Sequence, residues 1–121
     1  MSLTFYMYPS CNSCRKAKKW LEEHEIDFVA KHIVEEPPTK EEILHFFQIS
    51  DEKPRRFFNT SGRVYREQNM KDKLTDATKE EMADYLASDG MLIRRPIITD
   101  GDKVTVGFNE EVYKQVWLQN N

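Results

Sequence analysis

A chain of 121 residues with 39% apolar and 12% aromatic side chains can build a core without disulfide staples and is too rich in core formers for global disorder. Eighteen basic residues against 21 acidic ones give a net charge of −3, which excludes the basic surplus of a general nucleic-acid binder. No apolar run approaches the roughly 18 residues of a membrane helix, and the N-terminus lacks a basic region followed by an apolar one and a cleavage site, so the expectation is a cytoplasmic protein that engages neither membrane nor nucleic acid directly.

The first predicted element is a buried strand over Leu3-Thr-Phe-Tyr-Met-Tyr8, rich in aromatics and bounded by Pro9 and Ser10. Cys11-Asn-Ser-Cys14 follows, carrying the only two cysteines of the chain. Cys14, Ala17, Trp20, Leu21 and His24 then recur on one helical face, with Arg15, Lys16, Lys18, Lys19, Glu22 and Glu23 elsewhere. A strand that turns through a C-x-x-C pair into a helix is a redox arrangement. The unpaired N–H groups of a first helical turn and its positive dipole end favour a thiolate on Cys11, and Arg15 and Lys16 add positive charge. Cys14 shares the apolar face and should be more buried. Cys11 is therefore the expected nucleophile and Cys14 the resolving thiol. A structural disulfide across so short a loop would remove little entropy from the unfolded chain. A zinc site is disfavoured because His24, His32 and His45 have no paired ligand spacing, so no metal is expected. A lone C-x-x-C in a reducing compartment implies a pair that cycles.

Asp27 to Val34 offers a second strand with Phe28, Ile33 and Val34 as core candidates, and a strand–helix–strand unit of this length pairs its strands in parallel. Glu35-Glu-Pro-Pro38 breaks the chain. Thr39-Lys-Glu-Glu42 is a capping box that opens a helix bearing Ile43, Leu44, Phe46 and Phe47. Lys53-Pro54 is another break, Arg55-Arg-Phe-Phe58 a further helical turn, and Asn59-Thr-Ser-Gly62 a turn that could also hold an anion on its N–H groups. Met70-Lys-Asp-Lys73 reads as an exposed connection. Thr78-Lys-Glu-Glu81 repeats the capping box ahead of Met82, Tyr85 and Leu86, and Gly90 suits a left-handed cap. Pro96 to Thr99 and Lys103 to Val106 flank Asp100-Gly101 as a hairpin. Asn109-Glu-Glu111 caps a last helix with Val112, Tyr113, Val116 and Trp117 inward. The order is β-α-β, a helical insertion over about 35–90, then β-β-α: one α/β domain over 1–121 with a four-stranded mixed sheet.

Cys11-Asn-Ser-Cys-Arg-Lys-Ala17, Asn59-Thr-Ser-Gly62, Asp89-Gly-Met-Leu-Ile-Arg-Arg-Pro-Ile97 and Val106-Gly-Phe108 occur in one order, and together they resemble the arsenate-reductase-like ArsC/Spx family over about Leu3 to Trp117. The resemblance implies a thioredoxin-like fold with helices inserted mid-chain. It implies that Arg95 and a cis Pro96 face the cysteine loop, with Arg95 binding the anionic sulfur or substrate and Arg94 solvated. Cys11, Cys14 and Arg95 are then the catalytic set, and Ser13, Arg15 and Pro96 the substrate- and anion-binding set. The implied activity is thiol–disulfide oxidoreduction by a monomer, with no bound cofactor and an external thiol reductant such as thioredoxin or glutathione. Arsenate reductases of the family surround their oxyanion with three arginines. Here only Arg95 matches, the other positions falling at Asn59 to Ser61 and at Gly107-Phe108-Asn109, with Arg63 or Arg66 as substitutes if the turn aims them inward. The Spx side of the family implies a redox-sensing regulator that binds the RNA polymerase α-subunit. This chain has Lys53-Pro54 where those regulators present a glycine at that contact.

Overall fold

The computed structural model describes residues 3–118. β1 (Leu3–Met7), α1 (Asn12–Glu23) and β2 (Phe28–His32) form the opening unit, and β3 (Ile97–Thr99) and β4 (Val104–Val106) the closing hairpin. The four strands lie in the order β2-β1-β3-β4. β2 runs parallel to β1, while β3 is antiparallel to both β1 and β4, so the sheet is mixed as expected. Gly101 turns the hairpin at φ +96, and Asp100 Oδ1 accepts the N–H groups of Asp102 and Lys103. β2 and β4 are the edges of the sheet.

Alternation along the strands divides the core between the two faces. Leu3, Phe5 and Ile98 meet Cys14, Ala17, Trp20 and Leu21 of α1 and Tyr113 of α6 (Glu110–Trp117). Tyr6 and Ile97, each one residue out of phase, enter the opposite core beneath the helices between β2 and β3. These are α2 (Lys40–Ile49), α3 (Arg63–Glu67), α4 (Met70–Lys73) and α5 (Lys79–Ser88), with 3-10 turns at Pro54–Phe57 and Gly90–Leu92. Both capping boxes form: Thr39 and Thr78 accept from the backbone of Glu42 and Glu81, whose carboxylates accept in return from the capping residues' N–H groups. Thus α2 and α5 start where the sequence placed them.

Five expectations about packing are corrected. Val34 is 41% exposed, because His32 Nδ1 accepts from the N–H groups of Val34 and Glu35 and turns the chain after the buried Ile33. Met70, read as exposed, is fully buried: Asn69 adopts a left-handed φ of 54 and re-aims the chain into α4. Gly90 has no left-handed φ; a Cβ there would lie 2.1 Å from the Ile33 carbonyl oxygen, so glycine serves close approach. His24 is exposed and ends α1, its ring stacked 4.2 Å from that of Trp20. Val112 is exposed on α6, where Tyr113 is the buried anchor.

Candidate active site

Tyr8-Pro9-Ser10 turns the chain out of β1, and Cys11 N–H donates to the Tyr8 carbonyl across it at 3.0 Å. Cys11 then takes extended backbone (φ −90, ψ 118) and serves as the N-cap of α1. Its Sγ accepts the N–H of Cys14 at 3.2 Å, the role that a serine or aspartate oxygen usually fills. A sulfur placed there has a backbone donor aimed at it and lies at the positive end of a 12-residue helix. Cys11 is half-buried and Cys14 buried, both as free thiols. Burial pushes the Cys14 thiol up to about 12; the side-chain contact with Cys11 pushes the same way, and the Tyr8 backbone, followed by the charge of Arg95, pulls back. One thiol therefore sits at the rim in an anion-favouring cap, and the other stays protonated beneath it.

Arg95 packs on Tyr8, the residue that leads into the cysteine loop. Its guanidinium lies over the Tyr8 ring at 5.0 Å, and Nη1 donates to the Ile93 carbonyl at 3.3 Å. Its Nε is buried without a hydrogen-bond partner among the described residues. The Arg95–Pro96 peptide is cis, as the resemblance implied. Arg95 opens onto a concavity of about 590 Å³ walled by Tyr8, His32, Asn59, Gly62 and Arg63. Arg63 is thus brought to the Arg95 cavity, although it also pairs with Glu67 at 3.6 Å. Arg66 is not; it folds back to donate to the Ser61 carbonyl.

Other expected site residues fall differently. Ser13 is exposed in the first turn of α1. Arg15 is exposed and bends over the loop, donating to Asn12 Oδ1 at 2.5 Å and to the Pro9 carbonyl at 3.3 Å. It braces the cysteine loop as well as adding charge. The Pro96 carbonyl accepts the Gly107 N–H at 2.8 Å, which ties the cis-proline segment to the chain after β4. Arg94 is half-buried, not solvated, and a Cβ on Gly107 would come within 3.0 Å of its Nε and Nη2. Tyr113 is a site neighbour that the sequence presented only as core: its hydroxyl donates to the Gly107 carbonyl at 2.8 Å, and burial, followed by the nearby Cys14 sulfur, raises its pKa. Among the described residues no group of three or more histidine, cysteine or carboxylate side chains could hold a metal ion.

A family model described as the ArsC family matches residues 6–116. The uncharacterized protein YusI of Bacillus subtilis is 55% identical over 117 residues, spanning 97% of this chain and 99% of its own. The global transcriptional regulator Spx of Enterococcus faecalis is 36% identical, spanning 90% of this chain and 81% of its own. The crystal structure of a "possible arsenate reductase" from Streptococcus mutans superposes with a TM-score of 0.85 at 40% identity, over 91% of this chain and 96% of that one.

Proposed function

Because the chain belongs to the ArsC family, whose thioredoxin-like fold it shares, we propose that it is a small cytoplasmic thiol–disulfide oxidoreductase. The observation that carries this reading is the asymmetry of the pair: Cys11 caps α1 with its sulfur toward a backbone donor, and Cys14 is buried with its thiol pushed up to about 12. The Cys11 thiolate attacks one sulfur of a substrate disulfide, forming a mixed disulfide and releasing the first substrate thiolate. Cys14 passes its proton to that departing thiolate and attacks Cys11 Sγ. The second substrate thiolate leaves; the substrate has gained two electrons, and the cysteine pair that gave them up is left oxidised as the Cys11–Cys14 disulfide. An external dithiol, of the thioredoxin or glutathione systems, then reduces the pair. Arg95, packed on Tyr8, balances the anionic sulfur.

Turnover assayed against a panel of protein disulfides, glutathione mixed disulfides and arsenate tests the reading. Cys11→Ser is expected to abolish turnover, and Cys14→Ser to accumulate a mixed disulfide visible by mass spectrometry. Loss of activity in Cys14→Ser without a trapped adduct would remove the resolving role. Turnover of arsenate alone would favour an arsenate reductase using Cys11 and Arg95, a reading that draws on the Arg63 side chain in the Arg95 cavity.

A second reading is favoured by the 36% identity to a Spx regulator across 90% of the chain. In it the cysteine pair is a switch, and its oxidation changes affinity for the RNA polymerase α-subunit. Lys53-Pro54 at the position of the expected contact stands against it. Pull-down with purified α-subunit, from the reduced and the oxidised protein, separates the two: redox-dependent capture supports the switch, and equal absence in both states leaves the oxidoreductase.

A further inference from the structure

Beside the 58–62 turn lies a second concavity, of about 340 Å³, walled by Arg55, Arg56, Asn59, Thr60, Ser61 and Arg94 but not by Arg95. The two cavities share Asn59 alone. We propose that this second cavity binds the phosphoryl oxyanion of a small phosphorylated or pyrophosphorylated molecule.

The cations are brought together by backbone pairing and not by chance exposure. Arg94 N–H donates to the Phe57 carbonyl at 2.8 Å, and Asn59 N–H to the Leu92 carbonyl at 2.8 Å. Phe58 and Ile93 form a bridge between these bonds, and both side chains are buried. The segment carrying Arg55 and Arg56 is therefore locked beside the one carrying Arg94. Gly107 completes the arrangement, since any larger residue would press on the Arg94 guanidinium.

Three arginines line one concavity in a protein whose net charge is −3, and their like charges repel; Arg56 and Arg94 also line the neighbouring concavity, where the Arg94 guanidinium lies against Gly107. Among the described residues no carboxylate lines the cavity. Glu52 reaches Arg56 at 3.3 Å from the neighbouring concavity, and among the described residues neither Arg55 nor Arg94 has a carboxylate partner. The remaining wall supplies the Asn59 amide and the hydroxyls of Thr60 and Ser61. Several planar donors with neutral donors between them suit a tetrahedral, multiply charged oxyanion better than a single carboxylate, which one guanidinium can satisfy in bidentate fashion. The volume exceeds that of one phosphate, leaving room for a second phosphoryl group or an ester body.

The test is a titration of the reduced, isotope-labelled full chain with inorganic phosphate and with pyrophosphate, at ionic strength held constant with sodium chloride. Saturable shifts of the Asn59, Thr60 and Ser61 amides are expected, stronger with pyrophosphate. Arg94→Ala and Arg55→Ala should each weaken binding about tenfold, the scale of one charged hydrogen bond lost. Arg95→Ala should leave it within twofold. Arg55 is exposed, so its variant decides the matter even if Arg94→Ala disturbs the fold. Shifts that do not saturate, or affinity unchanged in Arg55→Ala, would overturn the site. Binding lost in Arg95→Ala and kept in Arg55→Ala would assign the anion to the Arg95 cavity instead.

Discussion

Cys11 and Cys14 stand three residues apart but in different surroundings, one capping a helix at the rim and one within the α1 core. The burial that raises the Cys14 thiol to about 12 has a consequence for stability. An unfolded cysteine titrates near 8.5, so between that pH and about 12 the unfolded chain sheds a proton that the folded chain keeps. The contribution is fully present below about pH 8.5 and is lost as pH rises through the folded value. The urea midpoint of the reduced protein should therefore fall more between pH 8 and pH 10 in the wild type than in Cys14→Ala. Parallel curves would refute it. Tyr6, pushed up to about 12 chiefly by burial, adds a similar loss at higher pH in both proteins. For Arg95, replacement by Ala should slow iodoacetamide alkylation of Cys11 at neutral pH by up to roughly tenfold, the scale a nearby opposite charge supplies. Arg94→Ala should change it little, because Arg94 opens onto the other concavity. Equal rates in both variants would show that the helix cap suffices. The deeper burial of Cys14 than of Cys11 could be read from spacing and helical phase. The half-burial of Arg94 could not, because nothing local announces that Gly107, 13 residues later, lies against its guanidinium.

At the scale of elements, the sequence was most legible where side chain and backbone make reciprocal local bonds. Thr39 with Glu42 and Thr78 with Glu81 fix the starts of α2 and α5 with no help from distant contacts. The hairpin about Asp100-Gly101 is equally local. Legibility fails for α3 and α4, which are too short to display a period, so Met70 looked like part of a charged connection. It fails also at Gly90, where the requirement comes from Ile33 on the other side of the helical insertion. These two kinds of constraint should separate by magnitude. Thr39→Ala should cost about 1 kcal/mol, the usual value of an N-cap. Gly90→Ala should cost about 3 kcal/mol or more, because its methyl meets backbone that cannot rotate aside. Chemical denaturation of the two variants checks the order, and a Gly90→Ala as mild as the cap variant would contradict the close approach.

Over the whole molecule, the sheet separates two cores and places the thiol pair at the end of one of them. Gly107 ties the parts together: its N–H meets Pro96, its carbonyl accepts from Tyr113, and its missing side chain seats Arg94. The mixed topology followed from the β-α-β opening and the closing hairpin, but which two strands became the edges required the strand order. One of the two is β2, with Val29 55% exposed. An unpaired strand of this kind is a template on which other chains can stack. Lys31 interrupts it, its ammonium 6.0 Å from the centre of the Tyr6 ring. A charge on an edge strand keeps such a row from zipping to a copy of itself. Lys31→Val would make the edge strand apolar over Phe28-Val-Ala-Val. That variant should fold normally yet become turbid on concentration, with light scattering rising at concentrations where the wild type stays clear. Colloidal behaviour of the fold would then hang on a residue remote from both cysteines.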